Sequence, residues 1–204
     1  MELIPLAKKD TPQQPEEELS SGDSLKLDLY FWLQALVMAL VALILVFTLV
    51  GRIIGVDGNS MYPTLHHKDM LLLQSIGYEP RQGDVVVLTK AFDTVTDPIV
   101  KRVIATGGQT VDIDYGTSTV YVDGVALDEP YIREPMGVPY TPSAYDSTGV
   151  QTHWEVPEGS IFVMGDNRNK STDSRDARLG AIDEDYVLGK VVCGLWPPSK
   201  IGPL

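Results

Sequence analysis

The chain has 204 residues, 44% hydrophobic and 22% charged, with a formal net charge of −12. An acidic chain with no basic cluster argues against a nucleic-acid partner and against docking on anionic lipid through charge. Its single cysteine, Cys193, excludes intramolecular disulfides and cysteine-based zinc sites, and its apolar neighbours Val191 and Val192 predict a buried structural thiol.

Residues 1–28 carry three prolines and the acidic run Glu16-Glu17-Glu18 without periodicity, and are expected to be a disordered tail. Residues 29–50 have no formal charge, with Gln34 and Thr48 the only polar side chains. At about 1.5 Å per residue, such a helix covers the roughly 30 Å hydrocarbon core of a bilayer. Tyr30, Phe31 and Trp32 cluster at its start, where amphipathic rings favour the headgroup layer. The run ends in Phe47-Thr48-Leu49-Val50-Gly51-Arg52, without the small-x-small pattern of a cleaved signal, so it reads as an uncleaved anchor. Lys8, Lys9 and Lys26 precede it and only Arg52 follows closely, which places the N-terminus in the cytoplasm. No second apolar run of spanning length follows, so residues 51–204 are expected to form one extracytoplasmic domain at the cell membrane.

That domain reads as mainly β: small antiparallel sheets or a distorted barrel behind one transmembrane helix. Residues 69–73, 84–88, 99–105, 119–122 and 160–164 are short apolar or β-branched runs bounded by Gly, Pro or Asp. Residues 111–115 alternate with period two, and Gly116-Thr117-Ser118 and Asp123-Gly124 supply turns. Residues 133–152 read as a long surface loop, and only residues 178–187 suit a short helix.

Ser60 lies in Gly58-Asn59-Ser60-Met61-Tyr62-Pro63-Thr64-Leu65, shortly after the anchor. Gly58 permits close backbone approach, Pro63 stiffens the turn, and exposed amides there suit a developing oxyanion. A serine needs a base, and a lysine serves only as a neutral amine, its pKa brought from ~10.4 towards ~7–8. Lys101 has the surroundings for that shift: strand alternation places Ile99, Lys101 and Val103 on one face and delivers Arg102 to the other. Two plainer readings stand beside these, a turn-forming serine and an edge-strand gatekeeper lysine. His66 and His67 sit among charged residues and His153 ends the long loop, so a histidine base is disfavoured. In Gly165-Asp166-Asn167-Arg168-Asn169-Lys170-Ser171-Thr172-Asp173-Ser174-Arg175, Arg168 and Lys170 occupy positions where a calcium loop needs oxygen ligands. A rigid polar turn that orients a site is the better reading.

Taken together, these blocks resemble those of bacterial type I signal peptidases, membrane-bound serine proteases that remove signal peptides from exported preproteins. Gly58–Leu65 is similar to the nucleophile block, Arg81–Val87 to the Gly-Asp-Val strand, Lys101–Ala105 to the lysine block, and Gly165–Arg175 to the Gly-Asp-Asn block. The resemblance implies Ser60 as nucleophile, Lys101 as general base and Ser171 as the hydroxyl orienting the amine. It also implies supporting pairs Asp166 with Arg102 and Asp173 with Arg175. Some members carry a serine where this chain has Gly58, which leaves the Ser60 amide as one oxyanion donor and the second donor open, a Gly58 main-chain group being one candidate. Lysine at the base position matches the bacterial type, and a single anchor with no large insert matches Gram-positive members. The implied reaction cuts after small residues at positions −1 and −3, needs no metal or organic cofactor, and takes signal-peptide-bearing preproteins delivered at the bilayer. Val56, Met61, Leu65, Ile99 and Val100 are the candidates for its shallow apolar pockets. Two alternatives are a self-cleaving repressor-type Ser–Lys protease, whose own Ala-Gly or Cys-Gly cleavage site is missing between Arg52 and Ser60, and a non-catalytic membrane-anchored β adaptor.

Overall fold

The structure is a computed structural model that describes residues 21–49, 51–90, 97–137, 145–146 and 149–203. Helix α1 runs Ser21–Leu49, starting at Ser21 rather than at the expected Leu29. Leu25, Lys26 and Leu27 are good helix formers, and a bilayer limits the apolar run without limiting the helical one. The tail expected to be disordered therefore gives its residues 21–28 to the helix, and residues 1–20 lie outside the described residues. Leu25–Leu45 is long and apolar enough to cross a bilayer, and every side chain in it is exposed. The chain divides into two units, with the second beginning at Leu45.

The second unit is β. Its strands are β1 Arg52–Gly55, β2 Met70–Gln74, β3 Val85–Leu88, β4 Ile99–Thr106, β5 Thr110–Asp114, β6 Thr119–Val122 and β7 Val125–Ala126. There follow β8 Tyr145–Asp146, β9 Gly149–Val150, β10 His153–Glu155, β11 Ser160–Met164, β12 Ile182–Asp183, β13 Val187–Trp196 and β14 Gly202–Pro203. Eight form one sheet in the order β1-β2-β13-β3-β4-β11-β12, with β14 also on β13; the others form a sheet β10-β5-β6-β7 and the pair β8-β9. Strands β5, β6 and β7 form a meander whose second turn holds Asp123 and Gly124 at φ 51° and 78°, the conformation a tight two-residue hairpin requires.

The six expected strands all form, but β13 was not expected. Gly189, Lys190 and Gly194 interrupt its apolar pattern, and its register shifts three times against its partners, so the period-two signal is lost. Where a short helix was expected, residues 178–187, there is one 3-10 turn at Glu184–Tyr186, capped by the Asp183 side chain, and the start of β13. The expected long loop is partly outside the described residues; its described part includes the β8-β9 pair. Cys193 is half-buried rather than buried.

Strand β3 is buried on both faces. Val85 and Val87 join Val56, Met61, Leu65, Leu71, Leu73, Val100 and Val191 in one apolar cluster, while Val86 and Leu88 join Val103, Ile161, Val163, Leu179 and Ile182 in another. A third cluster packs Ile104, Ala105, Phe162 and Met164 against Val111, Ile113, Val120 and Val122 of the smaller sheet. At ~25 cal/mol per Å2 of apolar surface removed from water, these clusters are the main stabilisation of a scaffold that carries charged groups inside it.

Candidate active site

The loop between β1 and β2 is tied at its base, where Val56 N–H donates to Asp69 O and Lys68 N–H to Val56 O, both at 2.8 Å. Gly58, exposed, sits at φ +95°, a region L side chains rarely adopt. The loop is fixed from below by Met61 and Leu65, 1% and 2% exposed, which anchor in the core on either side of one turn. Ser60 is left half-buried at its crest.

Lys101 lies on β4, which pairs with β3 on one side and β11 on the other. It is therefore on an interior strand and cannot be an edge gatekeeper. The side chain is 3% exposed, with Nζ 2.9 Å from Ser60 Oγ and 3.0 Å from Val100 O. Burial disfavours the ammonium and lowers its pKa from 10.5 to about 8; Asp173 and Asp166 oppose the drop and Arg175 adds to it. In the neutral form the amine accepts the Ser60 O–H and still donates to Val100 O, which is the geometry general-base catalysis needs.

Gly165 separates this pair from Ser171. A Cβ on Gly165 would lie 2.5 Å from both Ser60 O and Ser171 Cβ, so only hydrogen fits. Ser171 Oγ is buried there without a partner among the described residues, and the Lys101 amine bonds Ser60 and Val100 instead. Arg102 grips Asp166 bidentately, Nε to Oδ1 at 2.8 Å and Nη2 to Oδ2 at 2.7 Å, and Thr64 Oγ1 donates to the same carboxylate from the Ser60 loop. Asp173 pairs with Arg175 through Nε at 2.8 Å and accepts Gly165 N–H at 3.0 Å. Burial would raise the Asp173 pKa, but Arg175, Gly165 N–H and Lys101 more than offset this and hold it below the usual carboxylate range.

Several participants escaped the sequence reading. Arg168 is 1% exposed and pairs bidentately with Glu129, while its Nε donates to Gly165 O. Tyr131 donates to Glu129 and lies under the Arg102 guanidinium, 4.0 Å from ring centre to Cζ. Asn167 reaches the Ser60 loop, its N–H donating to Ser60 O and its Nδ2 to Asn59 O. Arg168 and Asn167 lay in a block already singled out; Glu129 and Tyr131 carried no local signal.

Of the five pocket candidates, Val56, Met61, Leu65 and Val100 pack together in the cluster beneath the loop, all under 9% exposed. Ile99 is not brought to them: it is partly buried against the other cluster, beside Val86 and Leu88. His66 and His67 share the loop that carries Ser60, and His67 Nδ1 accepts Gly58 N–H at 3.4 Å, but the Lys101 amine is the group bonded to the Ser60 hydroxyl. His66 contacts Lys200 Nζ, His67 lies 3.1 Å from Asp57, and His153 lies 2.6 Å from Asp112 in the smaller sheet.

A serine beside a buried amine of lowered pKa, braced by ion pairs, has the groups that acyl transfer needs. The family model described as "Signal peptidase, peptidase S26" matches residues 29–196. The probable signal peptidase I-1 of Synechocystis sp. is 34% identical over 179 residues, 83% of each chain. Signal peptidase IB of Staphylococcus aureus is 34% identical over 86% of this chain and 94% of its own. A crystal structure of a signal peptidase I from Enterococcus faecalis is 29% identical, with a TM-score of 0.42, and covers 56% of this chain and 97% of that one.

Proposed function

The chain belongs to the signal peptidase family S26, membrane serine endopeptidases that remove signal peptides from preproteins, and on that premise we propose that Ser60 and Lys101 are its nucleophile and general base. The observation that carries this is the 2.9 Å contact between a 3% exposed lysine amine and the Ser60 hydroxyl. Lys101 takes the Ser60 proton as Oγ attacks the scissile carbonyl, and the carbonyl oxygen becomes an oxyanion facing the Ser60 amide. The ammonium then protonates the leaving amine, and the acyl-enzyme remains on Ser60. Neutral again, Lys101 deprotonates a water that attacks the ester and frees the serine.

Asp166–Arg102 and Asp173–Arg175 support the site by fixing the Gly165–Ser171 turn against β4. Substrates are preproteins with small residues at −1 and −3, as the resemblance implies, and the packing of Val56, Met61, Leu65 and Val100 beneath the Ser60 loop supports an apolar floor there. The N-terminus is cytoplasmic and the β unit extracytoplasmic at the cell membrane. Bilayer contact of the β unit is supported by exposed Ile53, Met70, Trp196 and Ile201; Gly55, Met70 and Trp196 are successive register partners on β1, β2 and β13. Met61 is buried and does not contribute.

The test is in vitro cleavage of a preprotein by wild type, Ser60→Ala, Lys101→Ala and Lys101→Arg. All three variants lose cleavage while folding, since nucleophile and base act as one unit and a guanidinium does not accept a proton. Turnover by Lys101→Arg would remove lysine from the base role.

A further inference from the structure

Asn167 holds the two peptide planes that flank the proposed nucleophile. Its side-chain Nδ2 donates to Asn59 O at 3.0 Å and its own N–H donates to Ser60 O at 2.9 Å. Tyr62 N–H also donates to Asn59 O, at 3.2 Å, so that carbonyl is pinned by two donors. The cis peptides among the described residues are Tyr62-Pro63 and Trp196-Pro197, so Asn59–Ser60 is trans. In a trans peptide the carbonyl and the following N–H point in opposite directions. Fixing Asn59 O on the side of Asn167 therefore aims the Ser60 N–H away from it.

We propose that Asn167 is a positioning residue that presets the Ser60 amide as oxyanion donor, a role that rests on Ser60 being the nucleophile. Two further observations favour it. Position 58 offers no hydroxyl, and its φ of +95° makes a side chain there strained, so the main-chain amide carries more of the oxyanion stabilisation in this chain. Asn167 is fully buried, yet its Oδ1 has no partner among the described residues. A buried amide with half its capacity unmet is costly, and an apolar residue would serve the core better. What the amide contributes is one donor, directed at the nucleophile loop.

The test uses the full chain in detergent with a synthetic signal-peptide substrate. Asn167→Ala and the near-isosteric Asn167→Asp, which lacks the Nδ2–H donor, are compared with wild type. Both are expected to lose roughly 10–100-fold in kcat, below the ~100–1,000-fold seen when an oxyanion donor is itself removed, with KM within about twofold. In Asn167→Ala, which adds no charge near Lys101, the pH at which kcat/KM rises should not move. Affinity for a peptide aldehyde, which forms an oxyanion on Ser60, should fall in parallel with kcat. A loss confined to KM, a shifted pH limb in Asn167→Ala, unchanged aldehyde affinity, or failure of both variants to fold would each overturn the assignment and leave Asn167 a scaffold residue. Activity that persists in Ser60→Ala would instead overturn the underlying reading, so the two failures are told apart.

Discussion

Replacing Lys101 by methionine should make the protein inactive and more stable. The amine is buried on an interior strand and burial depresses its pKa from 10.5 to about 8. That depression corresponds to roughly 3 kcal/mol against folding when the group is charged, at ~1.4 kcal/mol per tenfold change. The sign follows from protons bound: the unfolded lysine holds its proton more tightly, so the penalty is complete below about pH 8 and fades as pH rises towards 10.5. Methionine loses the contacts with Ser60 and Val100, about 0.5–1.5 kcal/mol each, and gains unpenalised apolar packing. The net expectation is a variant more stable by about 1–2 kcal/mol at pH 7, with the advantage gone by about pH 10. Urea unfolding of the full chain in micelles, followed by tryptophan emission at both pH values, measures this. A Lys101→Met variant less stable than wild type at pH 7, or a gap independent of pH, would refute the account of the buried amine.

Gly165→Ala should cut kcat by about 100-fold or more, because relieving a 2.5 Å approach to Ser60 O displaces Ser60 on a scale near 1 Å; wild-type turnover would contradict this. Glu129→Ala should cost about 3–5 kcal/mol in urea unfolding by stranding the buried Arg168 charge, and a change under about 1 kcal/mol would mean the pair is solvated. In reconstituted protein carrying Trp32→Phe and Trp154→Phe, brominated lipid should quench Trp196, which is 55% exposed; unquenched emission would remove it from the bilayer contact.

Much of the candidate site was legible because its chemistry is written in local runs. Ser60, Lys101 and the Gly165–Arg175 block each declare themselves within a few residues, and the pairing of Asp166 with Arg102 followed from the resemblance. Glu129 was invisible because it meets Arg168 across 39 positions, and a lone loop carboxylate has no spacing to betray it. Thr64 and Asn167 were hidden likewise: their partners lie 102 and 108 positions away. For the fold, strands with both faces buried, such as β3, are continuous apolar runs and easy to read. Strand β13 has glycines and bulges that destroy the period, and only its neighbours β2, β3 and β14 define it. The same limit applied to Ile99, whose closeness in sequence to Lys101 says nothing about which cluster it joins.

The central claim is that a neutral Lys101 amine activates Ser60, and the pH dependence of kcat/KM on a signal-peptide substrate tests it most directly. Wild type and a variant with His66, His67 and His153 all replaced should both show activity rising through a single limb near pH 8, where Lys101 loses its proton. A limb near ~6.5 that vanishes with the histidines would assign the proton transfer to one of them and contradict the account.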